Sequence, residues 1–150
     1  NRRGVARHLA ALMVRRLQPE VVDVVTWAPT SPSNAGRRGF DQAEMLARAV
    51  ARELGVPCRR LLYRSHGQSQ SGHGRADRLQ HTAAFRARAP RPGLAVLLVD
   101  DVVTTGATLR TARDSLLAAG VADVQCIAVA ATPDVVRVNR RALLHLVPAC

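Results

Sequence analysis

Lysine is missing altogether: the 22 basic residues of this 150-residue sequence are all arginine. With it goes the G-x-x-x-x-G-K-[ST] loop of P-loop enzymes. Neither the dinucleotide fingerprint G-x-G-x-x-G nor the nucleophile elbow G-x-S-x-G is present either. Aromatic residues are scarce, at 3%, with Trp27, Phe40, Tyr63 and Phe85 scattered singly. So few rings weigh against a platform that stacks successive bases of a nucleic-acid strand. The three cysteines, Cys58, Cys126 and Cys150, show no paired spacing and indicate neither a zinc site nor a disulfide framework. Cys126 lies in an apolar run and reads as a small core residue. No apolar run is long enough to cross a bilayer and no signal peptide is evident, so a reducing cytoplasm is the expected compartment. The sequence opens on Asn1 rather than Met, as a fragment would, so missing motifs count for less.

What is present is basic and aliphatic. Only 11 acids oppose the arginines, leaving a net charge of +11. A GC-rich genome accounts for arginine over lysine, but not for base over acid. That excess suits a phosphate-rich ligand, nucleic acid or an acidic partner. The length is that of one domain, here 1–150, with an N-terminal helix over 1–18 and a C-terminal tail over 134–150.

Periodicity places the elements. Val5, Leu9, Leu12, Met13 and Leu17 recur at helical spacing, and Pro19 ends that helix. Val21 to Ala28 is β-branched and apolar, a strand stopped by Pro29. Asp41 with Glu44 three residues on reads as the start of a helix that runs to about Leu54. Its inner face is Met45, Leu46, Ala49, Val50 and Leu54, Glu44 and Arg48 pair outside, and Gly55 and Pro57 terminate it. Cys58 to Tyr63 is a short strand. The stretch Ser65–His81 is too polar for a core and long for an idle loop. Its histidines, with His66, His73 and His81 among them, fit no standard metal-ligand spacing. Leu94 to Val99 is a strand, Leu109 to Ala119 a helix closed by Gly120, and Val121 to Ala131 another strand. A further helix and a short apolar segment are expected beyond Pro133. Alternating buried strands and helices give an α/β fold, an open parallel sheet flanked by helices on both faces.

The stretch around which this pattern turns is Val96–Thr108. Four apolar residues run into Asp100-Asp101, then Val102-Val103, then Thr104-Thr105-Gly106-Ala107-Thr108 at the mouth of a helix. Ligands of open α/β sheets gather at the carboxyl ends of such strands. A Gly/Thr turn opening a helix offers backbone N–H groups and small hydroxyls to a phosphate. The paired acids just before it can grip hydroxyls or a hydrated divalent cation.

In this order, Val96–Thr108 resembles the phosphoribosyl pyrophosphate (PRPP) motif of type I phosphoribosyltransferases. Arg37-Arg38-Gly39-Phe40-Asp41-Gln42 is similar to the R-x-R-G-F-[ND]-Q segment of the ComF family, and the loop holding Arg64, Gln68 or Gln70 and Arg78 ahead of Phe85 agrees. The resemblance covers roughly Val21 to Pro133. It departs at Gln80-His81-Thr82, where relatives often carry an Asn, and in having no cysteine-rich zinc module.

The resemblance implies a phosphoribosyltransferase-like fold and a role for each matching residue. Asp100 and Asp101 would hold the ribose hydroxyls of PRPP and touch Mg²⁺ only indirectly, through those hydroxyls or water. Thr104, Thr105, Gly106, Ala107 and Thr108 would bind the 5′-phosphate. The loop from Pro29-Thr30, with Arg37 and Arg38, would meet the diphosphate. Ser65–His81 would close over the reaction, with Arg64 and Arg78 bringing charge to the leaving pyrophosphate. The expected cofactor is Mg²⁺, and the expected partners are PRPP and an unidentified nucleobase-like acceptor. The family's link with DNA uptake adds single-stranded DNA and competence proteins. The alternative is a non-catalytic PRPP sensor or a single-stranded-DNA-binding competence accessory. Homodimer formation is left open.

Overall fold

Two nine-residue strands, each with a continuous buried run, set the architecture. The computed structural model describes residues 2–16, 21–30, 41–65, 85–89, 91–131 and 144–146. In chain order the elements are α1 (Arg2–Arg16), β1 (Val24–Trp27), α2 (Gln42–Leu54), β2 (Leu62–Arg64) and β3 (Phe85–Ala87). They continue with β4 (Ala95–Val103), α3 (Ala107–Ala118), β5 (Asp123–Ala131) and β6 (Leu144–Leu146). Successive strand residues face opposite sides of a sheet. Val96 and Leu98 of β4 therefore join Val124, Cys126 and Ala128 of β5 in one core, while Leu97, Val99 and Ile127 join another. Leu109, Ala112 and Leu116 of α3 cover the first face, and α1 and α2 cover the second.

The main sheet runs β1-β4-β5-β6 with every pair parallel. Val24 pairs with Val96 and Trp27 with Val99. On the far side of β4, Leu98 pairs with Cys126 and Asp100 with Ala128. β4 is therefore flanked on both sides over Val96–Val99, and beyond that by β5 alone as far as Val103. The expected parallel α/β sheet with helices on both faces is what forms.

The cap of α2 follows the sequence closely. Asp41 is extended (φ −90°, ψ 113°) and accepts from Ala43 N–H, while Gly55 closes the helix at φ 70°. The Arg48 guanidinium meets Glu44 at 2.8 Å on the exposed face.

Three expectations need correction. The buried stripe of α1 is Ala6, Ala10 and Met13, whereas Val5 is 60% exposed. The small alanines let α1 lie close against α2, and the larger Val5 is left outside that seam. Cys58–Tyr63 is not one strand. Its first part runs beside β1, with a parallel bridge from Cys58 to Val25 and Leu61 N–H donating to the buried Thr26 hydroxyl at 3.2 Å. Only Leu62–Arg64 forms a ladder, antiparallel to Phe85–Ala87. Finally, β4 does not stop at Val99 but continues to Val103, because β5 offers it a partner as far as Ala131. The segment expected as a helix beyond Pro133 lies outside the described residues, and Leu144–Leu146 adds a fourth strand to the sheet.

The β2–β3 hairpin is tied to α3 by one hydroxyl. Ser115 Oγ lies 3.1 Å from the Phe85 carbonyl and 2.8 Å from that of Thr111, and its single proton serves one at a time. Ser115→Ala is expected to cost about 1 kcal/mol, the usual worth of such a bond, measurable by urea unfolding. An unchanged midpoint would show that the hairpin is held by Phe85 packing alone.

Candidate active site

Among the described residues, those singled out from the sequence gather at the carboxyl end of the parallel sheet. There β1 delivers Ala28-Pro29-Thr30, β4 delivers Asp100 and Asp101, and the turn after β4 delivers the start of α3.

The two acids occupy the last part of β4, each half-buried. Asp101 N–H donates to Asp100 Oδ1 at 2.8 Å, and Val102 N–H donates to Asp101 Oδ1 at 2.8 Å. Each carboxylate thus spends one oxygen on the next amide. Burial pushes the Asp100 carboxyl up to about 7, reinforced by the charge of Asp101 and, more weakly, by that of Asp41. The bond from Asp101 N–H works the other way and holds part of the shift back. A buried acid with a like charge beside it is the usual origin of such a shift.

Gly106 turns the chain from β4 into α3 with φ 72° and ψ 2°. Glycine is needed there because an L side chain pays for the left-handed region. The first amides of a helix have no intrahelical partner, and Gly106 brings no side chain to cap them. Ala107 N–H reaches Thr105 Oγ1 at a long 3.3 Å. The helix opens its ladder at Arg110 N–H to Gly106 carbonyl, 2.9 Å. The Arg110 guanidinium lies over the turn, with Nη1 3.0 Å from where a Cβ on Gly106 would be. The turn therefore presents amides, the hydroxyls of Thr104, Thr105 and Thr108, and one guanidinium. This suits an anion.

The corner after β1 is held from three sides. Ala28 N–H donates to Val99 carbonyl at 3.1 Å. Arg64 Nε donates to Pro29 carbonyl at 2.8 Å, and the same guanidinium lies 5.5 Å from the centre of the Phe85 ring. Thr30 gives both its N–H (3.1 Å) and its hydroxyl (3.0 Å) to the carboxylate of Asp41.

The structure thus brings Pro29, Thr30, Arg64, Asp100, Asp101 and Thr104–Thr108 to one end of the sheet. Arg37, Arg38 and Arg78 lie outside the described residues. Two residues were not singled out from sequence. Asp41 was legible as a helix cap and as part of the Arg37–Gln42 segment, but its bonds to Thr30 could not be foreseen from local spacing. Arg110 follows Gly106 by one helical turn, a spacing that carries it back over the turn. Among the described residues no group of three or more His, Cys, Asp or Glu could hold a metal ion, and no helix is long and apolar enough to cross a membrane.

Comparison with known proteins agrees with this geometry. Residues 41–141 match the family model described as a phosphoribosyl transferase domain. The DNA utilization protein YhgH of Salmonella typhi is 34% identical over 122 residues, covering 76% of this chain and 52% of that protein. The competence protein ComFC of Bacillus subtilis is 32% identical over 106 residues, covering 70% and 42%. The chain therefore spans about half the length of these relatives. Among solved structures, an adenine phosphoribosyltransferase superposes with a TM-score of 0.64 at 16% identity, over 97% of this chain and 81% of that one. The adenine phosphoribosyltransferase of Thermoanaerobacter pseudethanolicus gives 0.61 at 15%, over 85% and 68%. At such identities the likeness is one of fold. Fold, family model and relatives converge, and the chain belongs to the ComF family of the phosphoribosyltransferase superfamily.

Proposed function

We propose that the chain binds PRPP and transfers its phosphoribosyl group to an acceptor of nucleobase type, in a protein linked to DNA uptake. The observation that carries this reading is the juxtaposition of two acids on β4 with an uncapped helix mouth just beyond Gly106. A ribose 5-phosphate needs both: hydroxyl acceptors for O2′ and O3′, and an anion site one sugar away. The free oxygens of Asp100 and Asp101 accept the hydroxyls, and Thr104 to Thr108 take the 5′-phosphate. The diphosphate then falls toward Pro29-Thr30 and the arginines Arg37 and Arg38, with Arg64 and Arg78 adding positive charge.

Loss of pyrophosphate from C1 leaves an oxocarbenium-like centre while negative charge grows on the departing diphosphate. The protein's part is to fix the sugar and to place cations where that charge develops. No protein nucleophile is required. Two carboxylates, with no third such ligand grouped beside them among the described residues, suit Mg²⁺ held mainly by substrate oxygens and water, the usual habit of this ion. Bound there, it would neutralise diphosphate charge.

Calorimetry with PRPP, with and without Mg²⁺, tests the binding claim, and absence of any heat of binding would sink it. A screen of bases for pyrophosphate release then separates enzyme from sensor. Release with one base supports transfer, and silence with all supports a PRPP sensor.

A second reading, binding of single-stranded DNA, is favoured by an open cleft of about 430 Å³ lined by Arg59, Arg60, Leu61, Tyr63 and Arg88. Arg60 lies 5.0 Å over the Tyr63 ring. Arg59 also borders a neighbouring cleft of about 280 Å³ with Arg91, near the amino ends of β1 and β4. Oligonucleotide binding that weakens steeply with salt and is lost in Arg59→Ala/Arg88→Ala would support it.

A further inference from the structure

We propose that Asp41 is a positioning residue: its one carboxylate caps α2 and at the same time fixes Thr30, the corner against which the diphosphate lies. The inference rests on the PRPP reading and adds a residue to it.

The geometry divides the carboxylate between two tasks. Oδ1 accepts from Ala43 N–H at 3.0 Å and Glu44 N–H at 3.3 Å, the bonds that start the helix. The same oxygen accepts the Thr30 hydroxyl at 3.0 Å, and Oδ2 accepts Thr30 N–H at 3.1 Å. A helix cap alone needs only a short side chain and one oxygen. Reaching a residue 11 positions upstream with both oxygens goes beyond that need. The bond to Thr30 N–H also fixes the orientation of the Pro29–Thr30 peptide. The carbonyl of that same peptide is held by Arg64 Nε at 2.8 Å. One peptide unit is therefore gripped at its N–H by an acid and at its C=O by a guanidinium. Its plane cannot turn without breaking a charge-assisted bond.

The consequence is selective. Holding this corner affects a ligand that carries a diphosphate, and leaves one that ends at C1 untouched. Ribose 5-phosphate uses only the acids of β4 and the turn before α3.

Side-chain reach separates the two tasks. Serine is as good a helix cap as aspartate but is too short to reach Thr30. Asp41→Ser keeps the cap and is expected to melt below wild type only by the two bonds to Thr30 that it loses, while binding ribose 5-phosphate within about twofold. It should lose about tenfold in affinity for PRPP, the scale of two lost hydrogen bonds less what water restores. Asparagine keeps the length and the capping oxygen but cannot accept from Thr30 N–H with its amide, so Asp41→Asn should fall between the two. Both substitutions are neutral, so equal losses in both would mean that charge, and not the hold on Thr30, matters, which would overturn the inference. An equal loss of ribose 5-phosphate and PRPP affinity in Asp41→Ser would overturn it too, as would no loss of either. If wild-type protein binds ribose 5-phosphate but not PRPP, or neither, the PRPP reading itself fails and takes this inference with it.

Discussion

Asp100→Asn/Asp101→Asn is expected to lose PRPP affinity by at least about a hundredfold, while Asp100→Asn alone makes the folded protein more stable at neutral pH. The binding loss follows from replacing two charge-assisted acceptors of ribose hydroxyls, each worth about 1.5–3 kcal/mol. The gain in stability follows from burial. The Asp100 carboxyl is pushed up to about 7 in the fold, whereas in an unfolded chain it titrates near ~3.9. Between those values the folded protein holds a proton that the unfolded chain has released. Stability therefore falls as pH rises from about 4 to about 7 and is level above that. Asp100→Asn removes the titrating group and with it this slope. Thermal melts of the two proteins from pH 4 to 8, in a chelator so that no divalent ion intervenes, measure it. Identical slopes would show that Asp100 is ionised in the fold throughout and that its burial costs nothing.

Gly106→Ala is expected to weaken binding of both PRPP and ribose 5-phosphate by about five- to thirtyfold. Gly106 sits at φ 72°, and an alanine there costs about 1–2 kcal/mol. Its Cβ would also stand 3.0 Å from Arg110 Nη1. The guanidinium is the far end of a flexible side chain and can move, whereas the backbone can relieve its strain only by turning the first amides of α3 away. Gly106→Ala/Arg110→Ala therefore should not regain what Gly106→Ala loses. Recovery in the double variant would assign the effect to crowding by Arg110. Wild-type affinity in Gly106→Ala would remove the turn from the phosphate site. Titration with ribose 5-phosphate is the better readout, since it carries no diphosphate.

The two halves of the site differ in how much of them could be read from residues alone. Val96–Thr108 is a local unit: strand, acids, turn and helix mouth follow in order, and each announces itself by residue type. The corner at Pro29–Thr30 is not local. Pro29 marks the end of β1, but nothing near it reveals that Asp41 accepts from Thr30 or that Arg64 donates to Pro29 across 35 residues. The same limit explains the misplaced strand at Cys58–Tyr63. Six residues of similar pattern are divided between an edge beside β1 and a ladder with β3, and only tertiary pairing decides where the break falls. In α1 the large aliphatics carry the periodicity, yet beside Met13 the buried positions are Ala6 and Ala10, because closeness to α2 rewards small side chains. The end of β4 shows the reverse case, where a neighbour's length extends a strand past its apolar run.

The parallel pairing of β1 with β4 also bears on how the chain reaches this state. Asp23 Oδ2 accepts from Ala95 N–H across 72 residues, and the Val24–Val96 register spans the same distance. Closing so long a loop must precede any reward from the ladder, and topologies rich in distant pairings fold slowly, on roughly the millisecond-to-second scale. The helix mouth at Gly106 can form within its own βαβ unit, from β4 to β5. The corner at Thr30 joins it only when β1 docks. On this topology the turn at Gly106 is expected to form before the corner at Thr30 in refolding, so that binding of ribose 5-phosphate would recover ahead of binding of PRPP.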